Sequence, residues 1–288
     1  MHWILADLLM FVSSVALFLT IRKAALLDLP SQLNNLAMFG VPMLFYVGLS
    51  LGWLQDFSRL TPWICVLLVV TSIVAYVSNA ASLRSIKLAP NPGYSLVISK
   101  SAVIVTVFLA VPLFGSKLTI QAVLAVLLIL AFSTLIVTGP HKTHKSESKN
   151  ESWLPLALVA FFGWAFLALS AKFMFRHSVT TMVFLSIFFT LVTTCIVREI
   201  RRKHISLEII QRHRWLFLQI GLWSSIWNFF LFYALNIAPN PGYVNATNAA
   251  SIAVVTLLST LLFKDDLSWR KCLGVFGVIG GLCLLFLG

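Results

Sequence analysis

Two charged side chains, Asp7 and Lys100, lie inside the long apolar stretches of this 288-residue sequence. Lys100 follows Asn91 by nine residues, so a helix starting at that point carries its ammonium group roughly 14 Å inward. An unpaired lysine at that depth in hydrocarbon costs at least about 2.5 to 3.5 kcal/mol. Three circumstances would remove this cost: water in a cavity, an anionic partner, or deprotonation through a lowered pKa. The roles open to Lys100 are contact with a substrate or coupling ion, a structural contact with Asp7 or the backbone, and snorkelling to the interface. We favour the first and predict that Lys100 binds a negative group.

Polar and aromatic side chains elsewhere in the apolar stretches recur at helical spacing. Ser72, Tyr76 and Asn79 are spaced i, i+4 and i+7, which places them on one helical face. Trp223 and Trp227 are four residues apart and suit stacking on a flat or cationic ligand, while packing and interface anchoring remain open for them. These patterns predict a polar site with an aromatic wall.

Further candidates lie shortly inside the starts of apolar stretches, where exposed N–H groups favour anionic ligand groups. The alternative for each is a hydrogen bond between helices. The complete set of predicted substrate-binding residues is Lys100, Tyr76, Asn79, Tyr94, Ser99, Trp223, Ser224, Trp227, Asn228, Tyr243, Asn245 and Asn248.

The composition shows which elements must position these residues. Hydrophobic residues make up 59% of the chain, charged residues only 10%, and the mean hydropathy is +0.95, which is typical of an integral membrane protein. A membrane helix needs about 17 to 25 mostly apolar residues. Ten such stretches are predicted to span the membrane: 2–21, 35–54, 62–83, 92–114, 119–139, 153–171, 179–197, 215–236, 242–263 and 272–288. The fold class is therefore an all-α integral membrane protein.

The cysteines, the histidines, the absence of catalytic motifs and the position of the charges disfavour several classes of function. The four cysteines lie singly in apolar stretches and the six histidines are scattered, so we predict neither a metal site nor a cofactor. No HExxH, GxSxG or P-loop pattern occurs, and we expect no catalytic residue and no enzyme activity. The net charge of +12 lies mostly in short loops, where it suits anionic lipid headgroups rather than nucleic acid.

The distribution of positive charge predicts an orientation. Of the 21 Lys and Arg residues, 16 fall in loops that share one face of the membrane. By the positive-inside rule this face is cytoplasmic, so both termini are predicted to be extracytoplasmic. The plasma membrane, the bacterial inner membrane in a bacterium, is the expected location.

An internal repeat is visible in the hexapeptide APNPGY, which occupies 89–94 and again 238–243, an offset of 149 residues. The same offset, applied to 79–119 without a gap, gives 12 identical residues in 41 pairs. Five spans per repeat is an odd number, so the two halves should enter the membrane from opposite sides. The predicted domains are 1–140 and 153–288, joined by a polar linker at 141–152.

The hexapeptides also predict helix boundaries. A proline suits the first turn of a helix, and an asparagine before it suits the N-cap, here Asn91 and Asn240. A tight helix hairpin is one interpretation, and a hinge or gate is the other. The residues concerned are Pro90, Pro92, Gly93, Pro239, Pro241 and Gly242.

With ten helices in two inverted halves, and with LFGSKL (113–118) and LFKDDL (262–267) closing spans four and nine, the sequence resembles the drug/metabolite transporter superfamily, EamA-like branch. The resemblance covers the whole chain. It implies a central cavity walled mainly by spans three, four, eight and nine, with spans one and six contributing. Many members are described with cytoplasmic termini, from which the charge distribution departs.

The sign of the intramembrane charge favours one substrate class. No glutamate lies in the spans as drawn, and the charge that we predict to contact a substrate is the positive charge of Lys100. We therefore expect a secondary transporter that moves a small anionic or zwitterionic metabolite, such as an amino acid, by alternating access. The alternatives are an exporter of quaternary amines or drugs, a sugar-phosphate or nucleotide-type exchanger, and, less favoured, a membrane scaffold without transport. The expected partners are the substrate, membrane lipids, and a coupling proton or counter-substrate, with no nucleic acid.

Overall fold

The computed structural model describes residues 2–89, 92–138, 153–263 and 268–287. Their helices are α1 (Trp3–Leu26), α2 (Ser31–Ser50), a 3-10 helix (Leu51–Trp53), α3 (Leu54–Phe57), α4 (Pro62–Leu88), α5 (Pro92–Lys100), α6 (Ala102–Phe114), α7 (Ile120–Val137), α8 (Trp153–Arg176), α9 (Thr181–Arg202), α10 (Glu208–Arg212), α11 (Arg214–Ile237), α12 (Pro241–Phe263) and α13 (Trp269–Leu287).

Ten membrane spans are long and apolar enough to cross a bilayer within the described part of the chain. This confirms the predicted number. Several spans extend past their predicted ends, since the first runs to Leu26, the sixth to Arg176 and the seventh to Arg202. Charged residues at the ends of these helices therefore belong to the spans, because a helix can continue into the headgroup region with its backbone hydrogen bonds intact.

Two compact units make up the chain, and each combines parts of both sequence halves. Unit 1 comprises residues 1–76 and 170–237. In it, α1 packs on α11, and α2 packs on α9 and α11. Aromatic rings fill its core, with Phe184 4.8 Å from Phe232 and Tyr46 5.2 Å from Phe189 between ring centroids. The Tyr46 hydroxyl donates to the backbone carbonyl of Ser225, which connects α2 with α11.

Unit 2 comprises residues 77–169 and 238–288. Here α13 packs on α7, and α12 packs on α6 and α7. The contact between α13 and α7 is close because glycine faces it: a Cβ on Gly277 would lie 2.1 Å from the Phe132 ring. In a membrane the hydrophobic effect does not drive helices together, and small residues instead allow their backbones to pack closely.

The second hexapeptide confirms the predicted helix start. α12 begins at Pro241, and the Asn240 side-chain oxygen accepts a hydrogen bond of 2.8 Å from the backbone N–H of Gly242. The Asn240 amide also donates to the backbone carbonyl of Val107 in α6. Gly242 lies directly against Val107, so the cap and the glycine together hold the start of α12 against α6.

The first hexapeptide is described only in part. α5 begins at Pro92, as predicted. Pro90 and the predicted N-cap Asn91 lie outside the described residues, and so do the surroundings of the Pro92 and Gly93 side-chain positions.

Candidate substrate-binding site

Lys100 lies at an interruption in the fourth span, because α5 ends at this residue and α6 begins at Ala102. Its side chain borders a small recess between α5, α7 and α12, here called the Lys100 recess. The volume of the recess is about 10 Å³, which is comparable with the space that one water molecule occupies. Its lining residues are Leu96, Val97, Lys100, Leu130, Ser133, Thr134, Val137 and Ile252.

The charge of Lys100 is not balanced by a carboxylate in the described part of unit 2. The acidic residues within the bounds of this unit are Glu147, Glu151, Asp265 and Asp266, and all four fall outside the described residues. Most of the recess lining is aliphatic. An ammonium group in such surroundings favours an anionic ligand, since the desolvated charge gains most from a negative partner.

Two hydroxyl groups on α7 complete the polar part of the recess. Thr134 donates to the backbone carbonyl of Leu130 at 2.7 Å. The Ser133 hydroxyl, by contrast, is buried without a hydrogen-bond partner among the described residues. A buried hydroxyl left unpaired costs about 1 to 3 kcal/mol, so the recess holds a polar group that gains from a ligand.

Asn248 lies on α12, one helical turn before a residue that lines the recess. Its side-chain oxygen is buried and has no partner within the described residues. Ile252, which lines the recess, follows it by four residues in α12 and therefore lies on the same helical face. Lys100, Ser133 and Asn248 thus provide polar groups from three helices of unit 2.

The remaining predicted residues of unit 2 have other contacts or are more exposed. Ser99 donates to the Ser95 carbonyl at 2.9 Å, and Tyr243 donates to the Lys117 carbonyl at 3.2 Å. The Asn245 amide lies 3.5 Å from the Thr106 hydroxyl. The structure leaves Tyr94 46% exposed beside Trp153, and Asn79 half-buried in α4.

The predicted residues on α11 lie in unit 1. Ser224 donates to the Met38 carbonyl of α2 at 2.7 Å, and the Asn228 amide donates to the Ser224 carbonyl and hydroxyl. Trp227 lies 6.2 Å from the Phe18 ring, and its indole N–H is buried without a partner among the described residues. Trp223 is 37% exposed. Much of the face of α11 that carries these residues therefore packs on α2 and α1.

Glu199 corrects the prediction that no glutamate lies in a span. It is in the last turn of α9, two residues past the predicted end of the seventh span. Its carboxylate accepts a hydrogen bond of 2.9 Å from the Tyr76 hydroxyl of α4 and pairs with Lys203. The predicted residue Tyr76 therefore contacts an acid that sequence reasoning missed. Extending the span by one helical turn would have found it.

Lys172 is a second charged residue that the predicted spans omitted, by a single position. It is 4% exposed in α8, and its ammonium group donates to the Asn236 carbonyl at 2.7 Å. Asn236 lies at the end of α11, where carbonyl groups lack helical partners and attract cations. We therefore assign Lys172 the structural role of capping α11. Asp7 is also fully buried, in α1 of the same unit.

The contact between Tyr76 and Glu199 has a measurable effect on stability. We expect Tyr76→Phe and Glu199→Ala to lower the melting temperature in detergent, and their effects to be less than additive, with a coupling energy of about 1.5 kcal/mol. Glu208→Ala is the matched control because Glu208 is exposed in α10. Additive effects of the two substitutions would show that this hydrogen bond does not stabilise unit 1.

The position of the Lys100 recess differs from the cavity that the family resemblance implies. Span five, represented by α7, contributes four of its lining residues, although the expected walls were spans three, four, eight and nine. Ser133 was missed for this reason. The sequence signal was available, because the predicted fifth span contains a single serine in its apolar interior.

The ten membrane-spanning helices of the described residues define an integral membrane protein. The EamA-like transporter family model matches residues 151–287. This match covers the second half of the chain and supports membership of the protein in the drug/metabolite transporter superfamily.

A solved crystal structure supports the fold over the whole chain. The TM-score is 0.74 and the sequence identity 17%, with 98% of this chain and 97% of the matched chain covered. At this identity the likeness concerns the fold alone. A comparison with curated proteins gives no match.

Proposed function

We propose that this protein is a secondary transporter that moves a small anionic or zwitterionic metabolite, an amino acid or a related compound, by alternating access. The single observation that carries the proposal is the environment of Lys100. Its ammonium group borders an apolar recess in a unit whose described residues hold no carboxylate. The family match supports the coarser statement that the protein is a membrane transporter.

The polar groups around Lys100 suit a zwitterion better than a simple cation. Lys100 and Ser133 offer hydrogen-bond donors for a carboxylate. Asn248 offers an unpaired side-chain oxygen, which suits an ammonium group on the same ligand. A small amino acid would satisfy all three groups, whereas a quaternary amine would leave Lys100 unpaired and repelled.

The internal sequence repeat is the basis for proposing alternating access. Two inverted halves provide two related arrangements, each open to one side of the membrane. Binding of a negative group near Lys100 would offset the cost of enclosing its charge, so the loaded protein would close more readily than the empty one. In this proposal the residues around the two hexapeptides, including Gly242 and Pro241, absorb the backbone change.

An exporter of quaternary amines or drugs is the second candidate. The observations that favour it are the partly exposed Trp223 and the Glu199 carboxylate inside the seventh span. A sugar-phosphate or nucleotide exchanger is less favoured, because a doubly charged phosphate would meet a single lysine at the recess.

Exchange across a membrane tests the proposed function. The purified protein would be reconstituted into liposomes loaded with unlabelled leucine, glucose 6-phosphate or tetraethylammonium, and entry of the same labelled compound would be followed. We expect exchange of leucine. Exchange of tetraethylammonium alone would contradict the proposal and favour the drug-exporter candidate, whereas exchange of glucose 6-phosphate alone would favour the phosphate exchanger.

We also propose a plasma-membrane location with extracytoplasmic termini, on the basis of the positive charge in the loops. A single cysteine in the loop between α9 and α10, in a variant without the four native cysteines, would report the orientation. An impermeant thiol reagent should leave it unlabelled in intact cells. Labelling from outside would place the termini in the cytoplasm.

A further inference from the structure

We propose that the Lys100 recess is an anion site that accepts a single anionic oxygen or halide, and that Ser133 of α7 is its second ligand. This inference rests on the proposed function and deepens it, because it would select carboxylates over phosphates. It also assigns a role to span five, which none of the predicted site residues occupies.

The hydrogen-bonding groups that line the recess favour an anionic ligand. Lys100 brings an ammonium group, which only donates. Ser133 brings a hydroxyl that is 5% exposed and has no partner among the described residues. Thr134 already uses its proton on the Leu130 carbonyl. The free protons of the recess therefore belong to Lys100 and Ser133, and the ligand that satisfies both is an acceptor with negative charge.

The size of the recess restricts the ligand. A volume of about 10 Å³ corresponds to one water-sized group. One carboxylate oxygen or one chloride ion meets this limit, and the second carboxylate oxygen would remain outside the recess. A phosphate dianion would also leave most of its oxygens outside the recess, and its second negative charge would have no counter-charge among the residues that line the recess.

A neighbouring serine provides a matched control. Ser101 is adjacent to Lys100 in sequence, and its hydroxyl already donates to the Val97 carbonyl at 2.8 Å. Ser101→Ala thus removes the same atom as Ser133→Ala, next to the same lysine, without removing an available donor. A difference between these two variants cannot arise from the loss of a serine hydroxyl in general.

The experiment measures melting temperatures of the purified protein in increasing chloride, acetate or phosphate, with sulfate, a dianion that the site should reject as it does phosphate, keeping the ionic strength constant. Chloride and acetate should each stabilise the wild type in a saturable way, since a ligand that binds only the folded state raises its stability. Saturating chloride should reduce the further effect of acetate, because both would occupy one site. If chloride alone stabilises, the site holds a resident halide; if acetate alone does, it serves a carboxylate.

The variants decide whether Ser133 is a ligand. We expect Ser133→Ala to weaken anion binding about tenfold, which corresponds to the loss of one hydrogen bond. Ser101→Ala should match the wild type, and Lys100→Met should show no anion effect. The proposal is wrong if Ser133→Ala binds anions like the wild type, if no anion stabilises the wild type, or if phosphate acts as strongly as acetate.

Failure of this inference is distinguishable from failure of the proposed function. Leucine exchange that is the same in Ser133→Ala and the wild type, together with an unchanged anion effect, would overturn the role of Ser133 and leave transport intact. Anion binding that depends on Ser133 in a protein that exchanges no leucine would support the anion site and contradict the proposed transport of amino acids.

Discussion

Replacing Lys100 with Met is expected to abolish leucine exchange in liposomes while the protein remains folded. The substitution removes the positive charge and preserves much of the apolar volume of the side chain. Because an unpaired lysine in an apolar environment costs at least about 2.5 to 3.5 kcal/mol, the empty variant should melt at the same temperature as the wild type or above it. Lost transport combined with unchanged or increased stability is the signature of a binding residue.

Lys117→Met is the matched control for this substitution. Lys117 lies in the loop after α6 of the same unit and is exposed. Its removal changes the net charge of the protein by the same amount without altering the recess, so exchange should persist. If Lys100→Met exchanged leucine at the wild-type rate, Lys100 would be structural and the proposed site would have to lie elsewhere.

Gly242→Ala is expected to have the largest effect on stability. A Cβ at this position would lie 2.8 Å from both the backbone nitrogen and the Cα of Val107, and 2.2 Å from its Cγ2 atom. A side chain can rotate away, but the backbone of α6 can relieve the clash only if the two helices separate. Overpacking of this kind typically costs about 1 to 3 kcal/mol, and here it would also strain the Asn240 cap.

Gly280→Ala provides the comparison, because no atom lies within 4 Å of a Cβ built on Gly280 in α13. Alanine favours helix over glycine by about 1 kcal/mol, so this control should melt at the wild-type temperature or higher. Equal melting temperatures for the Gly242 and Gly280 variants would show that α12 does not require close contact with Val107.

The helical architecture could be predicted because membrane insertion depends on a simple property of the sequence. Runs of about 20 apolar residues are rare outside membrane spans, and all ten predicted runs correspond to helices. The ends were less predictable. Glu199 and Lys172 lie just past predicted span ends, and a hydropathy criterion stops at the first charge even where hydrogen bonds such as those to Tyr76 and Asn236 hold the charged group.

The candidate site was predicted only in part, for a related reason. Lys100 was identifiable because a charge in an apolar segment is costly whatever its neighbours are. Ser133 was not, because a serine in a helix usually bonds to its own backbone, as Ser99 and Ser101 do. Whether a particular hydroxyl is unpaired depends on packing between helices, which the spacing of residues within one helix does not specify.

The glycine residues also divide into those that the sequence identifies and those that only the packing of helices explains. Gly242 could be singled out because the hexapeptide occurs twice, and a repeated glycine beside a proline marks a helix start. Gly277 belongs to no recognisable pattern, yet it lies equally close to a neighbouring helix. Its role follows from the register between α13 and α7, which is set by the three-dimensional packing of unit 2.

The most direct test of the central claim is the thermal stability of the wild type and Lys100→Met with a panel of amino acids, sugar phosphates, nucleotides and quaternary amines. A ligand that binds the folded state raises its melting temperature. The account predicts that amino acids or other small carboxylates stabilise the wild type and leave the variant unchanged. Equal stabilisation of both proteins by quaternary amines would contradict it and would place the binding site at the tryptophans of α11.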